Sequence, residues 1–324
     1  MTVSLGAHIG QQNMSMAEMR ALWCHLDEVG MDWLSVWDHL YEAPPSGGTV
    51  PHFEAVATLG AMAADTKNAR LGCLVFYVGY RNPGLLAKSA VTLDHLSGGR
   101  FELGLGGGWH EWEAEAYGYD FPRLGTRLDM LDEAAELTKL LVELGGGDPP
   151  ARADYSGQHY KLHQNSFLPP PLGKLPIWIG GVGEKRTLRT TARLADGWNA
   201  TYISADRYRH LNGVLNNWCE TENRDPAHIE RSVNLVFAMG TDAASAKAEM
   251  ASLEQVWGPM VERIKDGVLG GTAESAIEQV MGYVEAGADM VNIALRAPVS
   301  PEAIEAYIEL VMPAVRSATT KGGS

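Results

Sequence analysis

Short apolar runs alternate along this chain with longer segments in which apolar residues recur every three or four positions. In the first of the longer segments, Ser15 and Glu18 form a capping-box pair, and Gly30 closes the helix. The apolar runs predict eight strands, at residues 3–9, 33–37, 70–76, 101–105, 176–179, 198–203, 233–239 and 290–295. A helical pattern follows each strand, and the interval between the seventh and eighth strands is long enough for one bent helix or two.

Strands that alternate with helices are expected to run parallel, because a parallel neighbour can be reached only through a crossover connection. Eight such units favour a closed (β/α)8 TIM barrel over a doubly wound open sheet. An open sheet predicts a G-x-G-x-x-G turn after the first strand, and residues 8–12 lack that pattern. Residues 145–175 break the alternation with glycines and prolines, which predicts an irregular insertion or lid between strands four and five.

The composition indicates a globular protein and narrows the range of its partners. The chain has 324 residues, 45% of them hydrophobic, so it can bury a large core in one barrel or two modest domains. A formal net charge of -14 argues against non-specific binding to nucleic acid or to an anionic membrane, since both need a basic face. With three scattered cysteines and no long apolar run, we expect a soluble, cytoplasmic protein.

In a TIM barrel the functional groups come from the carboxyl ends of the strands. The residues at those positions are His8, Asp38, His39, Phe76, Tyr77, residues 106–113, Gly180, Gly181, Tyr202, Met239 and Arg296. The fourth strand is the most unusual, because it runs into three glycines and then into two tryptophans, a histidine and three glutamates. Glycines at a strand end let the backbone approach a ligand closely, but a surface turn with its aromatic rings folded back explains the stretch equally well.

Two further patterns suggest chemistry. A histidine such as His39 can exchange a proton near neutral pH and can be oriented by a carboxylate such as Asp38, although the pair alone is at least as consistent with a chance histidine beside an aspartate that leads into a helix. After strand five, residues 180–186 place glycines and basic side chains before a helix, whose free N–H groups favour an anion. This pattern modestly favours a phosphate site over a solvated turn.

The sequence contains no motif that predicts a metal site or an activated nucleophile. His159 and His163 are four residues apart but lack an H-E-x-x-H pattern, and His110 beside Glu111 is equally non-specific. The G-x-S-x-G pattern of a serine nucleophile is absent. We therefore expect neither metal-assisted nor serine-based chemistry.

Seven motifs occur in a fixed order between positions 35 and 199: Ser-Val-Trp-Asp-His-Leu at 35–40, Tyr-Arg-Asn-Pro at 80–83, Leu-Asp-His-Leu-Ser-Gly-Gly-Arg at 93–100, Leu-Gly-Leu-Gly-Gly-Gly-Trp-His at 103–110, Ala-Tyr-Gly at 116–118, Ile-Gly-Gly at 179–181 and Ala-Asp-Gly-Trp-Asn at 195–199. This ordered set resembles the luciferase-like flavin and deazaflavin oxidoreductases, most closely the actinobacterial enzymes that use coenzyme F420. The resemblance implies one TIM-barrel domain over residues 1–324 and a homodimer.

The resemblance also implies where the cofactor binds. Family members commonly have a non-proline cis peptide in strand three behind the flat ring system, and the matching bond here is Cys73–Leu74. The implied cofactor-binding residues, at this bulge, after strand four and at the phosphate turn, are Cys73, Leu74, Gly106, Gly107, Trp109, Gly180, Gly181, Gly183 and Lys185. The aromatic residues expected to wall the pocket are Trp37, Phe76, Tyr77, Trp109 and Trp112.

Asp38-His39 is similar to the Asp-His pair of F420-dependent sugar and alcohol dehydrogenases, whereas many FMN-using relatives carry Glu-His-His at this place. The resemblance therefore implies hydride transfer between F420 and a small organic substrate, with His39 as general acid/base and Asp38 as its orienter or a cofactor contact. His110 or Glu111 is a second candidate for proton transfer. The alternatives are an FMN-dependent monooxygenase that uses O2 and, more distantly, a protein that only binds the cofactor.

Two positions depart from the dehydrogenase pattern. The tryptophan that those enzymes carry four residues after the histidine is replaced by Ala43, and Trp109 and His110 intervene between the strand-four glycines and Glu111. These departures argue against a sugar or a simple alcohol as the substrate.

Overall fold

The computed structural model, which describes residues 2–42 and 47–321, is built around eight parallel strands that close into a barrel. These strands are β1 (Ser4–Ile9), β2 (Trp33–Val36), β3 (Arg70–Cys73), β4 (Phe101–Gly106), β5 (Ile177–Gly180), β6 (Gly197–Thr201), β7 (Glu230–Met239) and β8 (Met290–Leu295). β1 pairs with both β2 and β8, and every other barrel strand pairs with its two neighbours in chain order. The predicted TIM barrel is therefore confirmed.

Helices surround the barrel and connect its strands. They are α1 (Met16–Glu28), α2 (Ala55–Asp65), α3 (Pro83–Ser97), α4 (Glu111–Ala116), α5 (Leu124–Glu143), α6 (Thr187–Leu194), α7 (Ala205–Thr221), α8 (Ala243–Trp257), α9 (Ala273–Glu285), α10 (Pro301–Ala306) and α11 (Met312–Lys321). Local sequence explains their ends, since Ser15 forms the expected capping box on α1 and Asn82 caps α3 ahead of Pro83. None of the helices in the described ranges is long and apolar enough to cross a membrane.

The barrel strands are buried along almost their whole length, as parallel strands covered by helices should be. Most of the interior is apolar, but three neighbouring strands contribute a line of asparagines. The amide groups of Asn199 on β6 and Asn292 on β8 each donate a hydrogen bond, at 3.0 Å, to the side-chain oxygen of Asn234 on β7. Each bond joins adjacent strands, so the network links three neighbouring strands of the barrel, although the buried Nδ2 of Asn234 has no partner among the described residues.

The segment between β4 and β5 has more regular structure than the sequence predicts. Strands Ala153–Ser156 and Lys161–Asn165 form an antiparallel hairpin within the predicted irregular stretch 145–175. The carboxylate of Glu133 on α5 accepts hydrogen bonds from three consecutive backbone N–H groups, those of residues 158–160, at the hairpin turn. Glycines and prolines on both sides of the hairpin mask its short strands in the sequence pattern. The hairpin forms because a carboxylate from another part of the chain stabilises its turn, and a local pattern does not reveal that contact.

The long interval between β7 and β8 contains two helices rather than one bent helix. α8 ends at Trp257, short 3-10 turns follow, and strand Val268–Gly271 pairs in parallel with the last residues of β7 before α9 begins. The extra strand lengthens the barrel wall at its carboxyl end. In the segment before this strand, Trp257, Met260, Arg263 and Ile264 line the cavity at the mouth of the barrel.

Candidate functional site

A cavity of about 440 Å³ opens at the carboxyl ends of the barrel strands. Its volume lies within the range of small-molecule and cofactor pockets, roughly 300–1,000 Å³. The sequence-predicted residues that line it are Asp38, His39, Leu74, Gly106, Gly107, Trp109, His110, Gly180 and Gly181. Cys73, Glu111, Gly183 and Lys185 do not line it. The structure thus brings most of the candidate residues together from strands that are distant in the sequence.

His39 is held by a glutamate that the sequence analysis does not single out. Its Nδ1 lies 3.0 Å from Oε2 of Glu113, which is buried on α4. An ionised carboxylate can only accept, so Nδ1 donates, and in the neutral form of the ring Nε2 carries the lone pair. The His39 side chain is 15% exposed, and Nε2 has no hydrogen-bond partner among the described residues. This nitrogen is therefore free to exchange a proton with a ligand.

Glu113 is a hub of four hydrogen bonds. Besides His39, it accepts from the backbone N–H groups of Leu40 (2.7 Å) and Tyr41 (2.8 Å) and from the hydroxyl of Tyr80 (2.7 Å). Burial raises the pKa of Glu113, but the hydrogen bond and charge of His39, the Tyr41 amide and the Tyr80 hydroxyl outweigh it and lower the pKa to about 2. Glu113 therefore stays ionised at all physiological pH values.

The start of α4 decides which glutamate faces His39. His110 is the N-cap of this helix, and its side chain accepts from the backbone N–H of Glu113. Glu113 thus occupies the third helical position, which turns inward, whereas Glu111 and Glu115 are exposed. The sequence gives only a weak signal for this helix start, because histidine is not among the residues that favour an N-cap and the Glu113 side chain bonds to His39 rather than back to the cap.

Asp38 does not bond to His39 but belongs to a separate ion pair. Its carboxylate accepts from Nη1 of Arg81 at 2.8 Å and from the backbone N–H of Tyr77 at 3.1 Å. Burial raises the pKa of Asp38, and the charge of Arg81 opposes that shift. Asp38 thereby ties the end of β2 to the segment after β3. The Tyr-Arg-Asn-Pro motif at 80–83 supplies its partner.

His110 lies beside His39, with 5.8 Å between the ring centres. Burial lowers the pKa of His110, which favours its neutral form, and the charge of Glu113 partly opposes the shift. Its Nε2 is buried and has no hydrogen-bond partner within the part of the chain that the structure describes. The ring of Trp109 lies 5.4 Å from that of His39, so the two histidines share an aromatic wall.

The non-proline cis peptide lies at Leu74–Val75, one residue later than the predicted Cys73–Leu74 bond. The reason is that the Leu74 N–H still bonds to the Val36 carbonyl at 2.9 Å, so the pairing of β3 with β2 continues through Leu74 before the chain bulges. Leu74 and Val75 line the cavity, whereas Cys73 is buried, and burial raises the pKa of its thiol well above the ordinary value.

Glycines on two strands allow Val75 to reach the cavity. A Cβ on Gly106 would lie 2.4 Å from a methyl carbon of Val75, and a Cβ on Gly180 would lie 2.7 Å from the other. Both contacts are too short for any larger residue. The bulge and these glycines therefore form one apolar strip on the cavity wall. A flat ring could lie against this strip.

The turn after β5 contributes polar groups at the rim. Gly180, Gly181 and Thr187 line the cavity, and Gly181 has a φ of 131°, which favours glycine. Thr187, the first residue of α6, was not a sequence candidate. Lys185 is exposed, and Arg186 pairs with Asp129 and Asp132 on α5. Arg186 is thus already neutralised, and the neutral donors of the turn are the groups that face the cavity.

Arg296 and aromatic rings complete the wall of the cavity. Trp37, Tyr202, Trp257 and Arg296 all line the cavity, together with Tyr77 and Tyr80. Of the other aromatic residues expected there, Phe76 is buried in the core and Trp112 is exposed, with its ring 5.2 Å from that of Tyr41. Position 43 lies outside the described residues.

The residues present fit a planar ring-bearing cofactor with a phosphate group. The apolar strip of Leu74 and Val75 and the side-chain-free backbone of Gly106 and Gly107 suit a flat ring, and the Gly181–Thr187 turn offers N–H and hydroxyl donors. Within residues 2–42 and 47–321, no group of three or more His, Cys, Asp or Glu side chains is arranged to hold a metal ion.

Comparison with known proteins places this geometry in context. The family model described as luciferase-like monooxygenase matches residues 1–266. The chain is 24% identical to an F420-dependent glucose-6-phosphate dehydrogenase of Rhodococcus erythropolis (strain PR4 / NBRC 100887), over 88% of this chain and 89% of that protein. It is 27% identical to the protein of the same name from Nocardia farcinica (strain IFM 10152), over 81% and 82% of the two chains.

Among solved structures, an F420-dependent secondary alcohol dehydrogenase in complex with an F420-acetone adduct superposes with a TM-score of 0.83. The match covers 97% of this chain and 99% of the other at 19% identity, so it shows that the two proteins share a fold.

Proposed function

Because the chain belongs to the luciferase-like monooxygenase family, we propose that it is an F420-dependent oxidoreductase that transfers a hydride between the deazaflavin and a small organic substrate. Full-length relatives named as F420-dependent dehydrogenases support the choice of cofactor. The Asp-His pair at 38–39, which resembles that of F420-dependent dehydrogenases, also supports it.

The observation that carries the proposal is the His39–Glu113 pair at the cavity wall. Glu113 fixes the tautomer of neutral His39, and Nε2 then has a lone pair and no partner among the described residues. The Nε2 atom of neutral His39 can take the proton of a substrate hydroxyl while the carbon that bears the hydroxyl is oxidised. In the reverse direction it returns the proton to the carbonyl oxygen. Glu113 stabilises the positive charge that His39 gains, because the carboxylate stays ionised.

The cofactor would be held by groups already described. Leu74, Val75, Gly106 and Gly107 would contact the ring system, and the hydroxyl and backbone N–H of Thr187 would bind the phosphate. When bound, F420 supplies the hydride donor or acceptor. Trp37 and Trp109 line the space beside His39 with aromatic surface.

Direct hydride transfer is tested with reduced F420 that carries deuterium at C5. The labelled cofactor is incubated with the protein and a panel of aldehydes, ketones and activated alkenes in ordinary water, and the products are analysed by mass spectrometry. The proposal requires deuterium on carbon in the product. Exclusive incorporation of solvent hydrogen on that carbon would reject direct transfer.

The alternative is an FMN-dependent monooxygenase, which the name of the family itself favours. Oxygen uptake by the protein with reduced FMN, coupled to insertion of one oxygen atom into a product, would support this alternative. The same protein would then show no carbon-bound deuterium in the F420 experiment.

A further inference from the structure

Arg296 lies at the barrel mouth, and no described carboxylate forms an ion pair with it. It follows directly after β8 and lines the cavity. Its Nη2 donates to the hydroxyl of Tyr202 at 3.2 Å, whereas Nε and Nη1 are buried with no hydrogen-bond partner. A guanidinium carries five N–H donors, and three of them belong to these two nitrogens. Burying N–H donors without acceptors costs free energy, so these donors are expected to bind a ligand.

No carboxylate in the described part of the cavity neutralises Arg296. The acidic residues that line it are Asp38 and Glu113, and each is already bound, to Arg81 and to His39 respectively. Residues 43–46, which are Ala-Pro-Pro-Ser, contain no acidic side chain. The cavity therefore has an excess of positive charge at Arg296.

Other groups near Arg296 add to this excess or leave it unchanged. Arg263 also lines the cavity and forms no ion pair with a described residue. His8 faces Arg296, and burial, together with the charge of Arg296, lowers the pKa of His8 to about 3. His8 is therefore neutral at physiological pH. None of the described residues on this side of the cavity offsets the charge of Arg296, so the site favours a ligand with a negative group.

Aromatic rings hold the guanidinium in place. Its central carbon lies 4.3 Å from the ring centre of Trp257, 4.9 Å from that of Trp37 and 5.6 Å from that of Tyr202. Cation–π contacts of this kind orient a cation without supplying a hydrogen-bond acceptor. His39 lies near the same tryptophan, since the ring centre of Trp37 is 6.3 Å from that of His39. One indole therefore separates Arg296 from the group that exchanges the proton.

We propose that Arg296 binds an oxyanion group of the substrate, a carboxylate or a phosphate, while the reacting carbon lies at His39. This inference rests on the proposed function for the role of His39, but the charge recognition itself does not depend on which cofactor is bound. The substrate class is a small acid or phosphate ester whose reactive carbon is separated from its anionic group by about the width of an indole ring. Arginine suits both anions because its planar fork offers several donors.

The test measures binding by calorimetry with two matched probes, benzoate and benzamide, which have nearly the same shape but differ in charge. Phenyl phosphate is a third probe that separates phosphate from carboxylate recognition. Each probe is titrated into the wild-type protein, R296Q, R296K and R209Q, with and without F420. Arg209 on α7 is exposed and, within the described residues, forms an ion pair with Asp206 alone, so R209Q controls for the loss of one surface charge. Circular dichroism checks that each variant is folded.

The wild-type protein is expected to bind benzoate or phenyl phosphate about 10- to 100-fold more tightly than benzamide, the range for a hydrogen-bonded buried charge. R296Q should abolish this preference and leave benzamide binding unchanged, R296K should retain part of it, and R209Q should behave as wild type. The affinity for F420 should not change in R296Q. A stronger response to phenyl phosphate than to benzoate assigns the site to phosphate esters, and the reverse assigns it to carboxylic acids.

Three results would overturn the inference. They are equal affinity of the wild-type protein for charged and neutral probes, an anion preference that survives in R296Q, and a loss of F420 affinity in R296Q that would assign Arg296 to the cofactor. Failure of both anions to bind the wild-type protein counts as the first result. Because the probes are also measured without F420, a failure of the F420 assignment leaves this test intact.

Discussion

Replacement of Glu113 by glutamine is the sharpest test of how the site controls its proton. The carboxylate accepts four hydrogen bonds at 2.7–3.0 Å, two at each oxygen. Glutamine has only one oxygen, which can keep the backbone N–H groups of Leu40 and Tyr41. Its NH2 group then faces His39 and the Tyr80 hydroxyl. A hydroxyl can rotate and accept, but His39 must turn its Nδ1 lone pair towards the new donor.

The variant therefore places the proton of neutral His39 on Nε2, the nitrogen that should receive the proton of the substrate. General acid/base groups contribute about 10²- to 10⁴-fold to rates, and at 1.36 kcal/mol per tenfold this corresponds to about 3–5 kcal/mol. We expect the rate of the chemical step to fall by that factor. The free energy of unfolding should fall by about 1–3 kcal/mol, the cost of a hydrogen bond lost at a buried site.

The assay is single-turnover F420 absorbance with the substrate that the deuterium screen identifies. Glu115→Gln, on the exposed side of the same helix, is the matched control for the charge change and should match wild type. Nitrogen NMR of His39 reports its tautomer directly. In Glu113→Gln it should show the proton on Nε2 instead of Nδ1. A rate within threefold of wild type, or a larger loss in Glu111→Gln, would refute this account of the pair.

Three other changes test separate parts of the structure. His39→Ala should lower the single-turnover rate by about 10²- to 10⁴-fold and leave F420 affinity within about threefold; a matching loss of affinity would assign His39 to cofactor binding. Gly106→Ala should displace Val75, destabilise the protein by about 1–3 kcal/mol and weaken F420 binding. The control is Gly125→Ala, which should have neither effect because no atom lies within 4 Å of the new Cβ. Burial raises the pKa of Glu102 from 4.5 to about 7 despite the charge of Arg70, so its contribution to stability is present below pH 4.5 and is lost as the pH rises through about 7. Between these pH values the free energy of unfolding, measured with denaturant, should therefore fall as the pH rises, by at most about 1.4 kcal/mol per pH unit, and Glu102→Gln should remove this dependence. An unchanged dependence in Glu102→Gln would assign it to other groups.

The barrel was predictable because its signals are local. Buried parallel strands read as short apolar runs, and caps such as Ser15 and Asn82 mark where helices begin. The hairpin within residues 145–175 was not predictable, because Glu133, which stabilises its turn, lies on α5 in a different part of the sequence.

The site was predictable in position but not in its pairings. Motif order predicts that Asp38 and His39 lie at the barrel mouth, and both line the cavity. Their partners depend on non-local geometry, since Arg81 is 43 residues from Asp38 and Glu113 is 74 residues from His39. The choice of Glu113 over Glu111 depends on the residue at which α4 begins, and helix ends are the least certain part of a sequence-based prediction. That the chain forms one domain over residues 1–324 and a homodimer stays a prediction.

The measurement that tests the central claim most directly is a calorimetric titration of the purified protein with F420 and, separately, with FMN. The account predicts that F420 binds with a dissociation constant in the micromolar range or tighter, equivalent to about -8 kcal/mol, and more tightly than FMN. Tighter binding of FMN, or no measurable binding of F420, would contradict the account and make the oxygen-dependent monooxygenase the leading assignment.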